Sequence, residues 1–127
     1  MLDASGKLAF TFGFELDMAE AAYRADLSRA VREQWRPSPA YRIFSGIDRT
    51  TTVRVLLTFD GVLVHAAVLA SSGMEILDRT VLAALKHGMQ LPRPPPALGE
   101  VAGLVPLRLV FMHSVRGGND VRVIREQ

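Results

Sequence analysis

Apolar and polar residues alternate most regularly between Thr51 and Ala70. Val53, Val55, Leu57 and Phe59 fall on one face of a strand, and Val62, Val64, Ala66, Val68 and Ala70 fall on one face of a second. Asp60-Gly61 between them suits the positive φ angles of a two-residue type I′ turn. Such a turn pairs Phe59 with Val62, Leu57 with Val64 and Val55 with Ala66, so register and hydrophobic pattern predict the same hairpin. Val105, Leu107, Leu109 and Phe111 alternate with Pro106, Arg108, Val110 and Met112 and predict a third strand. Pro106 marks either a strand end or a sheet edge, because proline cannot donate to a ladder. After the turn cluster Gly117-Gly118-Asn119-Asp120, Val121 to Ile124 is either a short fourth edge strand or a loose tail. Phe10, Phe12 and Phe14 also alternate. Residues 1–16 therefore read as linker or as a short extra strand ahead of one domain, 17–127.

The helical period occurs twice. Tyr23, Leu27, Val31 and Trp35 recur at i, i+4 within a stretch from Asp17 to Trp35 that contains no Gly or Pro, and Pro37 and Pro39 end it. Residues Ala40 to Thr50 have no period and read as a loop. Ser72 followed by Glu75 matches a capping box, and Leu77, Val81, Leu82 and Leu85 form the apolar stripe behind it. Gly88 is the expected stop. Leu91-Pro92-Arg93-Pro94-Pro95-Pro96 is an extended, stiff connector. The order is helix, strand, strand, helix, strand, with a fourth strand if the tail joins. The fold class is α+β: an antiparallel sheet of three or four strands with both helices on one face, the simplest way to bury two apolar helix stripes.

Composition narrows the function without naming it. In 127 residues, 49% are hydrophobic and 22% charged, the balance of a globular domain. The formal net charge is only +2, too small to indicate nucleic acid, and no strand pair interleaves aromatic with basic residues as an RNA-binding sheet requires. There is no cysteine, which removes disulfides, thiolate metal sites and thiol nucleophiles. No apolar run approaches the roughly 18 residues of a membrane helix, and Met1 to Gly6 has no signal-peptide pattern.

His65, His87 and His113 lack metal-ligand spacing, and each is expected to face solvent or sit at a helix end. No G-x-S-x-G supports a triad. Ser71-Ser72-Gly73 reads as turn and cap, and Asp78 and Arg79 as surface charges. No catalytic, cofactor-binding or metal residue is assigned.

From Tyr23 to Met112 the chain resembles the C-terminal domain of the TonB and TolA energy-transducer superfamily. The likeness rests on an ordered set. An amphipathic helix ends in Gln34-Trp35-Arg36-Pro37. Val53-Arg54-Val55-Leu56-Leu57-Thr58-Phe59 then runs into Asp60-Gly61-Val62, and a second strand ends in Val68-Leu69-Ala70-Ser71-Ser72-Gly73. Leu77-Asp78-Arg79 and Val81-Leu82-Ala83-Ala84-Leu85 follow. Leu91-Pro92-Arg93-Pro94-Pro95 leads to Val105-Pro106-Leu107-Arg108-Leu109-Val110-Phe111. The helix with Trp-x-Pro is similar to TolA-like members, and the SSG, LD and proline elements to TonB-like members.

The resemblance implies a non-enzymatic periplasmic domain. It would grip an outer-membrane receptor or periplasmic protein and carry force from an inner-membrane, proton-driven motor complex. The family's membrane anchor and Pro-rich spacer are not among these residues, as expected of a piece of a longer protein.

An unpaired strand edge is a template for another strand. The expected partner-binding residues are therefore Val105, Leu107, Arg108, Val110 and Met112 on the third strand, with Val121 and Val123 of the tail as the resting occupants of its edge. Exchange of that tail between two copies would give a homodimer. Leu107, Leu109 and Phe111 are expected to be core residues first, so backbone and the outward Arg108 would carry binding. The alternatives are a static envelope or secretion-system adaptor built on the same fold, and a small α+β ligand-binding domain.

Overall fold

A computed structural model of the chain describes residues 19–36, 47–98, 102–114 and 119–125. The Phe10-Phe12-Phe14 alternation, residues 37–46 and Gly117-Gly118 lie outside these.

Helix α1 covers residues 19–34. Its stripe is the expected one: Tyr23, Leu27, Val31 and Trp35 are all buried, the middle two completely. Strand β1 is Arg49–Leu57 and β2 is Leu63–Ala70. Helix α2, Glu75–Ala84, leads through a single 3₁₀ turn at Pro96–Leu98 to β3, Val105–His113, and β4, Asp120–Arg125, closes the chain. The sheet is antiparallel with spatial order β2-β1-β3-β4. The tail is thus a true fourth strand, and β1 begins two residues earlier than its hydrophobic pattern suggests.

Every second residue of the central strands enters one core. Val53, Val55 and Leu57 of β1 and Val105, Leu107, Leu109 and Phe111 of β3 are at most 1% exposed. They meet the α1 stripe, Val81, Ala84 and Leu85 of the α2 segment, and Val121 and Val123 of β4. Both helices lie on this face. Pro106 follows the first residue of β3 and pairs with Leu56 only, just before β4 begins to pair at Leu107, so its missing N–H leaves no gap in the ladder.

The hairpin corrects the expected register. Gly61 N–H donates to Thr58 O, and Thr58 N–H donates to Val62 O, so the loop holds three residues, Phe59, Asp60 and Gly61. Gly61 has φ +88°, the left-handed position of a type I turn with a G1 bulge. Val55 still faces Ala66, but Leu57 faces Leu63 and Val64 is the bulged residue. Leu63 rather than Val62 or Val64 therefore fills the core, and Phe59 is left 47% exposed.

The second helix corrects the capping expectation. Its N-cap is Met74, with no side-chain cap, and Glu75 pairs with Arg79 instead. The stripe uses Leu77, Val81, Ala84 and Leu85, while Leu82 stays 42% exposed. Gly88 lies in a separate turn after the helix end, closed by Met89 N–H to Lys86 O. The proline segment is anchored: Leu91, Pro94 and Leu98 are buried, and Leu91 N–H donates to Gly61 O at 2.9 Å.

Candidate partner-binding edge and its polar clamp

The expected site residues separate into two groups. Val105, Leu107, Val121 and Val123 are buried on the core face. Arg108, Val110 and Met112 lie on the open face of the sheet, where Arg108 stands directly across from Arg54 of β1 and Ile124 of β4. β3 is not an edge. Its two neighbours are β1 and β4, and Val121 to Ile124 occupies the side facing β4 in full register. The outer strands are β2 and β4.

Hydrogen bonding decides which backbone groups these outer strands leave open. Val121 O accepts from Ser28 Oγ at 2.5 Å, and Val121 N–H donates to Asp120 Oδ1 at 2.8 Å. Both polar groups of Val121 therefore point away from β3. In an antiparallel strand such residues alternate. Asp120, Arg122 and Ile124 face the β3 ladder, and Val123 and Arg125 point outward like Val121. Arg32 of α1 reaches Asp120 at 3.4 Å. The first outward position is thus covered by side chains from α1 and β4 itself, and the second, at Val123, has no such cover among the described residues.

On the opposite edge, Leu63 N–H donates to Met89 O at 3.0 Å and Gly88 N–H donates to Leu63 O at 2.7 Å. With Leu91 N–H on Gly61 O and the Val62–Gln90 bridge, residues 88–91 cover the start of β2.

A polar chain locks the helices to the sheet beside this frame. Ser71 Oγ donates to Asp78 Oδ2. Ser72 N–H and Thr51 Oγ1 both donate to Asp78 Oδ1, at 3.0 and 2.9 Å. Because the Thr51 hydroxyl proton is committed to Asp78, His113 Nε2 must be the donor in its 2.9 Å contact with Thr51 Oγ1, which fixes the imidazole tautomer. Arg49 Nη1 donates to Ser72 O at 2.9 Å. Trp35 closes the cluster: its Nε1 donates to Thr80 Oγ1 at 3.1 Å, and its ring meets Phe111 and His113 edge-on at 5.1 and 5.2 Å.

Burial alone would raise the Asp78 pKa, but the hydrogen bonds from Ser71, Ser72 and Thr51 outweigh it and hold the carboxyl below its ordinary 3.8. Burial depresses His113 below 6.5, against the smaller opposing attraction of Asp78.

Two expectations fail here for one reason. Asp78 is half-buried rather than a surface charge, and His113 is 1% exposed rather than solvent-facing. Each has a hydroxyl partner far away in sequence, which a local pattern does not reveal. The signal that could have found Asp78 is the pair of serines seven and six residues before it. The cluster resembles a catalytic set by composition only. Ser71 bonds the carboxylate and not an imidazole, and Thr51 and His113 are sealed from solvent, so no nucleophile stands beside an accessible base. Among the described residues no group of three His, Asp or Glu is placed to hold a metal, and no helix is long and apolar enough to cross a membrane.

Residues 20–111 match the family model described as TonB C terminal. That span takes in α1, β1, β2, α2 and most of β3 and stops short of β4. Searches of curated proteins and of solved structures returned no match.

Proposed function

The chain belongs to the TonB C-terminal family, and from that premise we propose that it is the periplasmic, partner-gripping domain of a TonB- or TolA-like energy transducer. It binds an extended segment of an outer-membrane receptor or periplasmic protein by strand addition. It passes on force from an inner-membrane proton-driven motor, through an anchor that precedes these residues. The observation that carries the reading is the outer edge of β4, where the backbone of Val123 points away from the sheet.

Two docking routes serve that function. A segment can add outside β4, pairing with Val123 and displacing Ser28 and Asp120 from Val121. It can also replace β4 on β3, alongside Val105, Leu107, Arg108, Val110 and Met112. Replacement uncovers Val121 and Val123, which are 2% and 8% exposed, at a cost of about 1.5–3 kcal/mol per side chain. The first route needs no core side chain to leave and is the route of the resting domain. The second is open when the tail is exchanged with another copy, giving a dimer.

The test uses isotope-labelled chain and synthetic extended peptides copied from outer-membrane receptors of the same cell. Binding should protect the Val123 amide from exchange, and Val123→Pro, which removes an outward N–H without breaking the β3 ladder, should weaken it. A chain ending at Asn119 isolates the second route. If both variants keep the affinity and oligomeric state of the parent chain, neither route operates.

A further inference from the structure

Away from the sheet edge, the end of α1 and the outer side of α2 enclose an open groove of about 750 Å³. Its lining contains three cations, Arg36, Arg79 and Lys86, and no carboxylate. Ile76, Ala83 and Met89 supply apolar wall, and Ile76 is 44% exposed, a large aliphatic side chain that the fold leaves uncovered.

The Trp35–Thr80 hydrogen bond ties the end of α1 to α2 at the groove's floor, and Thr80 Oγ1 in turn donates to Leu77 O at 2.7 Å. Two of the three cations have partners within the chain. Arg36 Nη1 donates to Glu33 O at 2.7 Å and to Trp35 O at 3.5 Å, and Arg79 Nη2 meets Glu75 Oε1 at 2.5 Å.

We propose that this groove is a second docking site, for an acidic amphipathic polypeptide segment: one apolar side chain lying against Ile76 and Met89, flanked by carboxylates facing Arg36 and Lys86. Charge complementarity selects the acidic flanks, and clustered arginines are a recurrent means of capturing them. The apolar wall argues against a bare polyphosphate or nucleic acid, which would leave Ile76 and Met89 unused. The site is separate from the β4 edge. A domain with both can hold one partner by its backbone and another by its side chains.

The experiment titrates isotope-labelled full chain with a twelve-residue peptide of alternating Glu and Leu, a counterpart with Lys in place of Glu, and inorganic polyphosphate. The acidic peptide should shift the amides of Ile76, Arg79, Thr80 and Ala83 and leave Val121 to Ile124 unmoved. The double variant R36E/K86E changes two exposed side chains outside the core and should lower its affinity at least tenfold. Ile76→Ser should also weaken it, and the Lys counterpart should not bind. The proposal is overturned if the shifts map to β4 or the open sheet face, if either variant binds as well as the parent chain, or if polyphosphate binds the groove as tightly as the acidic peptide. Strand addition at Val123 is read separately, by protection of its amide and by Val123→Pro.

Discussion

Two glycines share a backbone conformation and differ in what surrounds them. Gly61 has φ +88° and Gly88 φ +84°. A Cβ at Gly61 would stand 2.3 Å from Leu91 O and 2.9 Å from Pro92 O, whereas a Cβ at Gly88 would meet nothing within 4 Å. Gly88→Ala therefore incurs only the left-handed penalty, about 1–2 kcal/mol. Gly61→Ala incurs that penalty and also forces the 90–92 segment off the hairpin. The Leu91 N–H to Gly61 O bond goes, at about 1 kcal/mol. Leu91, 3% exposed, is partly uncovered, a loss approaching about 1.5 kcal/mol.

The expected difference between the two variants is then about 2–3 kcal/mol, or roughly 1–2 M in urea midpoint at ordinary m values. Equilibrium urea unfolding followed by Trp35 fluorescence, with circular dichroism as the second probe, measures it. Midpoints within about 0.3 M of each other, at the lower limit of what an ordinary m value resolves, would refute the claim that the 88–91 segment is fastened over the start of β2.

Acidification should destabilise the domain in two steps with the same sign. His113 is held below 6.5 in the fold, so as pH falls through that value the unfolded chain takes up the proton first and stability declines. Asp78 is held below 3.8, so its contribution is complete above that pH and disappears as pH falls through the lower folded value. Urea unfolding from pH 7.5 to 3 should show both, with His113→Gln flattening the upper step and Asp78→Asn the lower. Tyr23→Phe should leave stability unchanged or raise it by about 1 kcal/mol, because the Tyr23 hydroxyl is buried with no hydrogen-bond partner among the described residues, which also drives its pKa upward. Calorimetry of the two chains checks this. Ser28→Ala should act in opposite directions on two readouts. It should lower stability by about 1 kcal/mol through loss of the bond to Val121 O, and it should strengthen peptide binding at the β4 edge by freeing that acceptor.

The central strands and α1 were legible because their burial follows from their own spacing. Val53, Val55, Leu107, Leu109, Leu27 and Val31 need no information from elsewhere. The hairpin failed by one residue at Asp60-Gly61, since the same dipeptide serves a type I′ turn and the last two residues of a three-residue loop. That single residue transferred core occupancy from Val64 to Leu63 and released Phe59 to solvent. Asp78 and His113 were missed because Thr51, the hydroxyl that both of them touch, is brought to them only by tertiary approach. The covering of β3 by β4 was one of two readings of Val121 to Ile124, and alternation over so short a stretch could not choose between them. The groove beside α2 has no sequence signature, because Arg36, Ile76 and Lys86 come together only when Trp35 reaches Thr80.

Ser28 and Arg32 place α1 against β4, so the first and last described elements of the domain are neighbours. A pull on the front of α1 would have a short side-chain path into β4. It need not pass through β2, which lies at the other end of the sheet order. A serine hydroxyl, an arginine and the valines packed beneath them join that helix directly to an outer strand.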